Sequence, residues 1–254
     1  MDLKNKYYFF NKELTSENCN SIIEYGLKKI ENNKSKGISS QAVTWNLNHK
    51  GGQKAGSEPL RHLTQEQLKK NNINVEKDTY VRDSEVCFFS DKSIYDIIIP
   101  KVNEANNRSN WKWNWDYIEP LQFTVYKPGG FYGWHMDGQS DHNGKYRQYL
   151  PGISEQEEVY KTNKFLYTSN SSLVGKVRKI SVTVNLTDPV NYEGGNLKFD
   201  FGPHSSKERF YECTEIRPQG SMIIFPSFLH HQVTPVTKGV RYSLVAWCVG
   251  EPFK

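Results

Sequence analysis

The chain has 254 residues, of which 36% are hydrophobic and 13% aromatic, enough to bury a substantial core in one large domain or two small ones. Its net charge of +5 comes from 33 basic and 28 acidic residues that are spread along the sequence. Nucleic-acid-binding surfaces need concentrated basic patches, so this small excess argues against a nucleic-acid partner. It mildly favours an anionic co-substrate.

Targeting and redox features are few. The N-terminal stretch MDLKNKYYFFNKEL lacks the apolar segment of a signal peptide, and no apolar run approaches the length of a membrane span. The four cysteines, Cys19, Cys87, Cys213 and Cys248, are widely spaced, which is typical of reduced and mostly buried thiols. We therefore expect a cytoplasmic protein with no membrane partner.

The first part of the chain, residues 1–118, predicts an α+β flank without recognisable chemistry. Apolar residues recur at helical spacing in two segments, and aromatic or alternating runs mark short strands. The predicted elements are a strand at 7–10, a helix from Thr15 or Ser16 to Glu31, strands at 42–47 and 81–89, and a helix from Ile94 to Ala105. We expect this flank to pack as a layer against the second half.

Three tryptophans, Trp111, Trp113 and Trp115, alternate in the run WKWNW. On a strand they would share one face, because side chains two residues apart point the same way. Such a face is either a substrate platform or, more commonly, part of a core or edge strand. The packing interpretation is the one we adopt.

The second half, residues 119–250, predicts a β-rich core. Leu121 to Tyr126 alternates apolar and polar residues, as a half-buried strand does. Further short strands separated by Gly and Pro turns are predicted at 180–186, 197–201, 210–216, 221–225, 231–236 and 240–249. The pattern favours a mainly β fold with flanking helices, a jelly roll, built as a single domain over residues 1–254.

A long insertion, residues 138–178, interrupts this core. It is polar and tyrosine-rich, and loops of this length are lids, binding loops or mobile segments. It begins directly after Asp137, so a lid over the neighbouring site and an exposed mobile insertion are both open. Asp141 and His142 inside it are expected to be solvated rather than metal-bound.

The motif His135-Met136-Asp137 is the first half of a candidate metal site. Residues i and i+2 of a strand share a face, so His135 and Asp137 can reach one metal ion together. The motif is short and also occurs by chance, as a surface histidine beside a solvated carboxylate. The interpretation therefore needs a third ligand and a co-substrate site elsewhere in the chain.

The second half of the candidate site lies near the C-terminus. His230 and His231 are both candidates for the third ligand. Two histidines and one carboxylate form the facial triad of non-haem Fe(II) oxygenases, which leaves positions open for a dianionic co-substrate and dioxygen. Arg241 and Ser243 share a strand face and would hold the far carboxylate of that co-substrate, since a guanidinium offers parallel hydrogen bonds and a permanent charge. The three ligands alone also fit zinc or manganese in a cupin-like barrel.

Three stretches carry a family pattern: EPLQFTVYKPGGFYGWHMD, KISVTVNLTDPVNYEGGNL and GSMIIFPSFLHHQVTPVTKGVRYSLVAW. Together they resemble the prolyl 4-hydroxylase-type Fe(II)/2-oxoglutarate dioxygenases, with the nearest likeness to the bacterial PKHD-type branch. A weaker echo lies in FFNKELTSENCNSIIEYG and VRDSEVCFF. The long insertion departs from the compact bacterial pattern and leaves the substrate open.

The resemblance implies a double-stranded β-helix and roles for individual residues. It assigns iron to His135, Asp137 and His231, in preference to His230. It assigns the 2-oxoglutarate C5 carboxylate to Arg241, with Tyr126 lining the same pocket. Trp247 matches a tryptophan near the end of the last barrel strand, where a packing role is expected. The implied cofactors are Fe(II), 2-oxoglutarate, dioxygen and ascorbate as reductant.

The implied reaction is hydroxylation of an unactivated C–H bond with release of succinate and CO2. A prolyl residue of a peptide or protein is the leading substrate. Another side chain, a free amino acid or a small metabolite is the alternative within this class, and a non-catalytic metal-binding cupin-like module is the alternative outside it. A nucleic-acid demethylase is disfavoured by the near-balanced charge. The sequence does not indicate an oligomeric state.

Overall fold

The computed structural model describes residues 3–45, 80–138, 144–150, 166–203 and 205–253. Within these ranges the helices are α1 (Ser16–Ser35) and α2 (Lys92–Arg108). The strands of the first half are β1 (Tyr8–Phe10), β2 (Gln41–Trp45), β3 (Tyr80–Phe89), β4 (Tyr117–Ile118), β5 (Leu121–Tyr126) and β6 (Phe131–His135). Those that follow are β7 (Tyr146–Gln148), β8 (Leu166–Thr168), β9 (Val177–Asn185), β10 (Tyr192–Gly194) and β11 (Leu197–Asp200). The last are β12 (Phe210–Glu212), β13 (Met222–Pro226), β14 (His230–Val233), β15 (Val236–Gly239) and β16 (Arg241–Gly250).

Most of these strands form one curled sheet of twelve strands in the order β1-β13-β9-β16-β5-β3-β6-β14-β11-β12, with β2 beside β3 and β4 beside β16. The sheet is antiparallel, and β3 connects its two layers by pairing with β5 through residues 85–89 and with β6 through residues 82–83. Smaller pairs join β10 to β15 and β7 to β8. This is the jelly-roll architecture that the alternation predicts, and it agrees with the double-stranded β-helix that the family resemblance implies.

The two faces of the β9–β16–β5 layer differ in chemistry. Phe123 and Leu244 point to one face, where they pack with Ile22 of α1 and Ile98 of α2 in the main core. The neighbouring positions in sequence point the other way, toward an internal cavity. The helices therefore cover the apolar face and leave the polar face to build a site. Two strands of the predicted N-terminal flank, β1 and β3, pair with strands of the β-rich core. The organisation of residues 1–254 as a single domain stays a prediction.

Helix α1 extends further than the sequence predicts. Thr15 caps it by accepting a 3.1 Å hydrogen bond from Asn18 N to its Oγ1. The helix runs to Ser35, so the predicted end near Glu31 is wrong. It stops where Gly37 adopts φ +73, a conformation that glycine provides at helix C-termini.

The WKWNW run is not a strand, and that prediction is wrong. Residues 111–116 have no regular secondary structure, because Asn110 and Lys112 adopt φ values of +57 and +52. Trp111 and Trp113 stack with ring centroids 5.2 Å apart, and Trp113 also packs edge-on against Phe253 at 5.0 Å. The packing interpretation describes these side chains better than a substrate platform.

Two predicted strands are also corrected. The strand expected at 210–216 ends at Glu212, and Thr214–Ile216 forms a 3-10 helix instead. The strand expected at 231–236 divides into β14 and β15 at Pro235, which has no N–H for a ladder hydrogen bond.

The insertion at 138–178 contains more order than a plain loop. Its described parts hold the parallel pair β7 and β8, and Arg178 already lies within β9. Asp141 and His142 lie outside the described residues, and the lid hypothesis stays a prediction. All four cysteines are free and buried, as expected. Within the described ranges, neither helix combines the length and the apolarity that crossing a membrane requires.

Candidate metal centre

Three side chains converge at one end of the internal cavity. His135 is the last residue of β6, Asp137 follows it, and His231 on β14 is the cross-strand partner of His135. His135 Nε2 lies 3.6 Å from Asp137 Oδ1, and His231 Nε2 lies 3.6 Å from Asp137 Oδ2. All their ligand atoms lie within 4.8 Å of one another, a spacing suited to one metal ion. His230 alternates to the other face of β14 and is exposed.

Both imidazoles are oriented by backbone carbonyls. His135 Nδ1 lies 2.7 Å from Gly133 O, and His231 Nδ1 lies 2.9 Å from Leu229 O. A carbonyl can only accept, so each Nδ1 carries the hydrogen and each Nε2 keeps a lone pair directed at the other ligands. This second hydrogen bond is the usual way in which proteins fix a metal-binding histidine.

Packing restrains the same rings. Tyr132 stacks on His135 with ring centroids 3.4 Å apart, and Phe225 meets His231 edge-on at 4.8 Å. These contacts leave little freedom for either ring to rotate away from Asp137.

The protonation states of the cluster suit a cation. Burial, reinforced by the nearby His135, lowers the pKa of His231 to about 4, so its imidazole is neutral at neutral pH. Burial alone would raise the pKa of Asp137, but His231, His135 and the Arg178 guanidinium hold it below its usual range. An anionic Asp137 beside a neutral His231 is the protonation state that a metal ion requires.

The backbone around Asp137 is also fixed. Asp137 N and Gly138 N both donate to Ser227 O at 2.9 Å. A Cβ on Gly138 would lie 2.8 Å from Arg178 O, so this position admits only glycine without movement. The turn between β13 and β14 therefore fixes the position of the Asp137 backbone relative to the two histidines.

The far end of the cavity holds a buried cation that has two nitrogens without a hydrogen-bond partner among the described residues. Arg241 opens β16 and is 1% exposed, and its Nε and Nη1 have no hydrogen-bond partner among the described residues. Tyr126 and Ser243 are buried beside it and line the same cavity. An unpaired buried guanidinium is costly, which makes this end a receptor for an anion. The cavity thus brings together all six residues proposed from the sequence.

Two arginines in and around the cavity, Arg178 and Arg82, were missed in the sequence. Arg178 Nε and Nη2 each donate to one carboxylate oxygen of Glu119 at 2.7 Å, and its Cζ lies 3.9 Å from the Trp247 ring centre. Arg82 donates through Nε to Ser84 Oγ at 2.9 Å and lies over the ring of Tyr132, with its Nη2 buried and unpartnered within the described chain. The available signal was a charged residue opening or interrupting an alternating strand, as in VRKISVTVN and VRDSEVCFF.

A jelly roll that presents two histidines and one carboxylate to a common point defines the class of facial-triad metal sites found in non-haem iron oxygenases. Residues 121–249, about half of the chain, match the 2OG-Fe(II) oxygenase superfamily, and the chain belongs to this superfamily. Membership implies Fe(II), 2-oxoglutarate and dioxygen.

Individual relatives are distant or partial. A PKHD-type hydroxylase of Thermosynechococcus vestitus is 35% identical over 130 residues, which cover 51% of this chain and 42% of the relative. The chain thus spans about two fifths of the length of that relative. The fold is similar to a viral collagen prolyl hydroxylase from Paramecium bursaria Chlorella virus-1 (TM-score 0.52, 18% identity, 97% of each chain). It is also similar to a Pseudomonas putida prolyl-4-hydroxylase (TM-score 0.51, 13% identity, 96% of this chain and 92% of the other).

The residues present fit the groups that the superfamily implies. The His135, Asp137 and His231 donor set is complete, with its lone pairs directed inward. The buried nitrogens of Arg241 lack any acceptor within the described chain, as expected where a ligand carboxylate supplies one.

Proposed function

We propose that the chain is an Fe(II)- and 2-oxoglutarate-dependent dioxygenase that hydroxylates a prolyl residue of a peptide or protein and releases succinate and CO2. The observation that carries the proposal is the buried, unpartnered Arg241 in the same cavity as the His135, Asp137 and His231 cluster. A metal-binding module without a keto acid has no need for a buried anion receptor beside its ligands.

His135 Nε2, Asp137 and His231 Nε2 would hold the iron. When bound, the iron and 2-oxoglutarate supply the oxidation of a C–H bond by dioxygen, while the chain supplies orientation and a dry site. The carbonyls of Gly133 and Leu229 keep the histidine lone pairs directed at the metal. Ser227 O accepts hydrogen bonds from the backbone N–H groups of Asp137 and Gly138, which holds the Asp137 carboxylate in position beside the histidines.

Arg241 would bind the C5 carboxylate of 2-oxoglutarate through its buried guanidinium, whose Nε and Nη1 have no acceptor within the described residues. Two parallel charge-assisted bonds fix both the position and the orientation of a carboxylate. Ser243 offers a hydroxyl from the same face of β16, and Tyr126 closes the side of the pocket on β5. Because these three residues are almost fully buried, binding there excludes water from the co-substrate.

The opposite side of the metal cluster has the character of a prolyl site. Tyr132 and Trp247 line the cavity near the metal ligands, and rigid proline segments bind in aromatic-lined grooves. Arg178 is held by Glu119 and lies over Trp247, so this wall is preformed. Arg82 Nη2 is buried and has no acceptor within the described ranges, which suits it to donate to a peptide carbonyl. The PKHD-type relative and the prolyl hydroxylases of similar fold support the choice of proline.

Succinate formation from 2-oxoglutarate, with Fe(II), tests the proposal. The reaction is run with a library of proline-containing peptides, and peptide products are examined for a gain of one oxygen atom. We expect succinate to rise with particular peptides, and ascorbate to sustain turnover as a reductant. Succinate unaffected by any peptide would refute the prolyl substrate and leave a small metabolite or another side chain. No succinate from iron-loaded protein would refute the dioxygenase.

A further inference from the structure

Arg241 lies against a turn that leaves no space for a side chain. Gly195 follows β10 with φ +60, and a Cβ added to it would lie 2.8 Å from Arg241 Cδ and 3.0 Å from Val236 Cγ2. Real Cβ atoms do not approach a carbon as closely as 2.8 Å, so a side chain here displaces Arg241 or the turn. Arg241 is almost completely buried, so a displaced side chain can move only into the cavity where the co-substrate would bind.

The turn cannot easily recede. Gly195 N donates to Pro235 O at 3.1 Å, which ties the turn to the loop before β15. Arg217 Nη1 donates to Gly194 O at 2.8 Å and to Asn196 Oδ1 at 3.2 Å, so it holds the residues on both sides of Gly195. The Arg217 guanidinium also lies 4.2 Å from the ring centre of Tyr192. The wall behind Arg241 is therefore braced from outside the cavity.

The direction of the Arg241 guanidinium depends on this wall. A buried arginine is ordinarily oriented by its hydrogen bonds, but Arg241 Nε and Nη1 have none within the described chain. What remains is packing: Gly195 lies beside Cδ, and the Tyr126 ring centre lies 5.6 Å from Cζ. A carboxylate accepts two parallel hydrogen bonds only from a correctly placed fork, so small shifts of Cδ matter.

We propose that Gly195, braced by Arg217, is a positioning residue for 2-oxoglutarate, because it sets the depth and direction of Arg241. The inference rests on the proposed function, since it needs Arg241 to bind the co-substrate. Gly195 does not itself contact the metal ligands, so its effect is confined to the co-substrate and leaves metal affinity unchanged.

The test is the affinity of the Gly195→Ala variant for 2-oxoglutarate, measured by calorimetry without oxygen on protein loaded with Mn(II). We expect the 2-oxoglutarate Kd to rise by about tenfold or more, with the Mn(II) Kd within about twofold of wild type. Gly37→Ala is the matched control, because Gly37 also has positive φ (+73) but nothing lies within 4 Å of the added Cβ. We expect it to bind 2-oxoglutarate as wild type does.

A double-mutant cycle tests whether Gly195 acts through Arg241. Arg241→Ala and the double variant Gly195→Ala/Arg241→Ala should bind 2-oxoglutarate equally weakly, because the residue that Gly195 positions is gone from both. Wild-type affinity in Gly195→Ala, or an equal loss of Mn(II) and 2-oxoglutarate binding, would overturn the inference. So would the same Gly195→Ala effect in the presence and absence of Arg241.

A second variant decides the matter if Gly195→Ala does not fold. Arg217→Lys keeps the charge but loses the planar fork that holds the turn, and we expect it to weaken 2-oxoglutarate binding without changing the Mn(II) Kd. An unchanged 2-oxoglutarate Kd would overturn the inference. Wild-type protein that does not bind 2-oxoglutarate, or an Arg241→Ala variant that binds it normally, would instead refute the proposed function.

Discussion

The internal cavity has Arg241 in its wall at one end, and the half-buried Arg178 lies beside the other end, over Trp247. Arg178 makes two 2.7 Å hydrogen bonds to Glu119 and lies over Trp247, so its charge is neutralised as the chain folds. Arg241 has its Nε and Nη1 buried without an acceptor among the described residues. The charge of Arg178 is therefore paired in the folded protein, whereas the charge of Arg241 awaits an anionic ligand.

This difference separates stability from binding. A buried ion pair is strongly destabilised when one partner is removed, because the other charge is left uncompensated. A buried charge without a partner already lowers the stability of the folded protein. Removing it therefore relieves that penalty and weakens only the binding of the anionic ligand. Substitutions at the Arg178 end should thus change the free energy of unfolding, and those at the Arg241 end should change co-substrate affinity.

The largest effect is expected at the metal ligands. His231→Ala removes one of three ligands and should lower turnover by roughly a thousandfold or more, about 4 kcal/mol in activation free energy. His230→Ala is the matched control, since His230 precedes His231 in sequence but is exposed on the other face of β14. Metal content and succinate formation are measured for both variants. Loss of activity in His230→Ala with normal activity in His231→Ala would reverse the assignment.

The next largest effect is expected at Arg241, on the affinity for 2-oxoglutarate. Arg241→Met keeps the apolar stem and removes the unpaired charge, and it should weaken 2-oxoglutarate binding by about a hundredfold, near 2.7 kcal/mol. The ligand-free variant should unfold at the same or a higher urea concentration than wild type, because no hydrogen-bonded partner is stranded. Calorimetry gives the affinity and urea titration gives the stability. A variant that binds 2-oxoglutarate normally, or is strongly destabilised without it, contradicts the distinction between the two ends.

The Arg178 side is tested by Glu119→Gln. This change leaves Arg178 buried without a carboxylate and should lower the free energy of unfolding by roughly 3 kcal/mol. Asp116→Asn is the control, since Asp116 also accepts from a basic residue, Lys176 at 2.8 Å, but its side chain is 56% exposed. Such an exposed pair contributes about 0.5 kcal/mol or less. Equal destabilisation in the two variants would show that burial does not make the Arg178–Glu119 pair more important for stability than an exposed pair.

The sequence predicts features that depend on local periodicity. The alternation of apolar and polar residues indicates the jelly roll, and the two-residue spacing of His135 and Asp137 indicates a shared face. The choice of His231 over His230 needed more, because neighbouring residues on a strand differ only in which face they reach. In the folded sheet it is His231 that lies opposite His135, while His230 is exposed.

The Arg178 end could not be predicted from local pattern. Arg178 and Glu119 are 59 positions apart, and their pairing depends on how β9 and the segment before β5 meet in the folded sheet. The turn behind Arg241 is a similar case. The Gly-Gly pair at 194–195 reads only as a turn in the sequence, and its contact with Arg241 emerges from the fold. Contacts between distant segments are thus the part that sequence patterns do not contain.

The smallest predicted effect concerns the pH dependence of stability at the metal cluster. Burial lowers the pKa of His231 from 6.5 to about 4, so the unfolded chain binds a proton there more readily than the folded protein. The stabilisation from a neutral His231 is complete above pH 6.5 and is lost as the pH falls toward 4. Metal-free wild type should therefore lose about 2 kcal/mol more than His231→Gln between those values, measured by urea unfolding with a chelator present. Parallel pH profiles for the two proteins would mean that His231 is not desolvated in the metal-free fold.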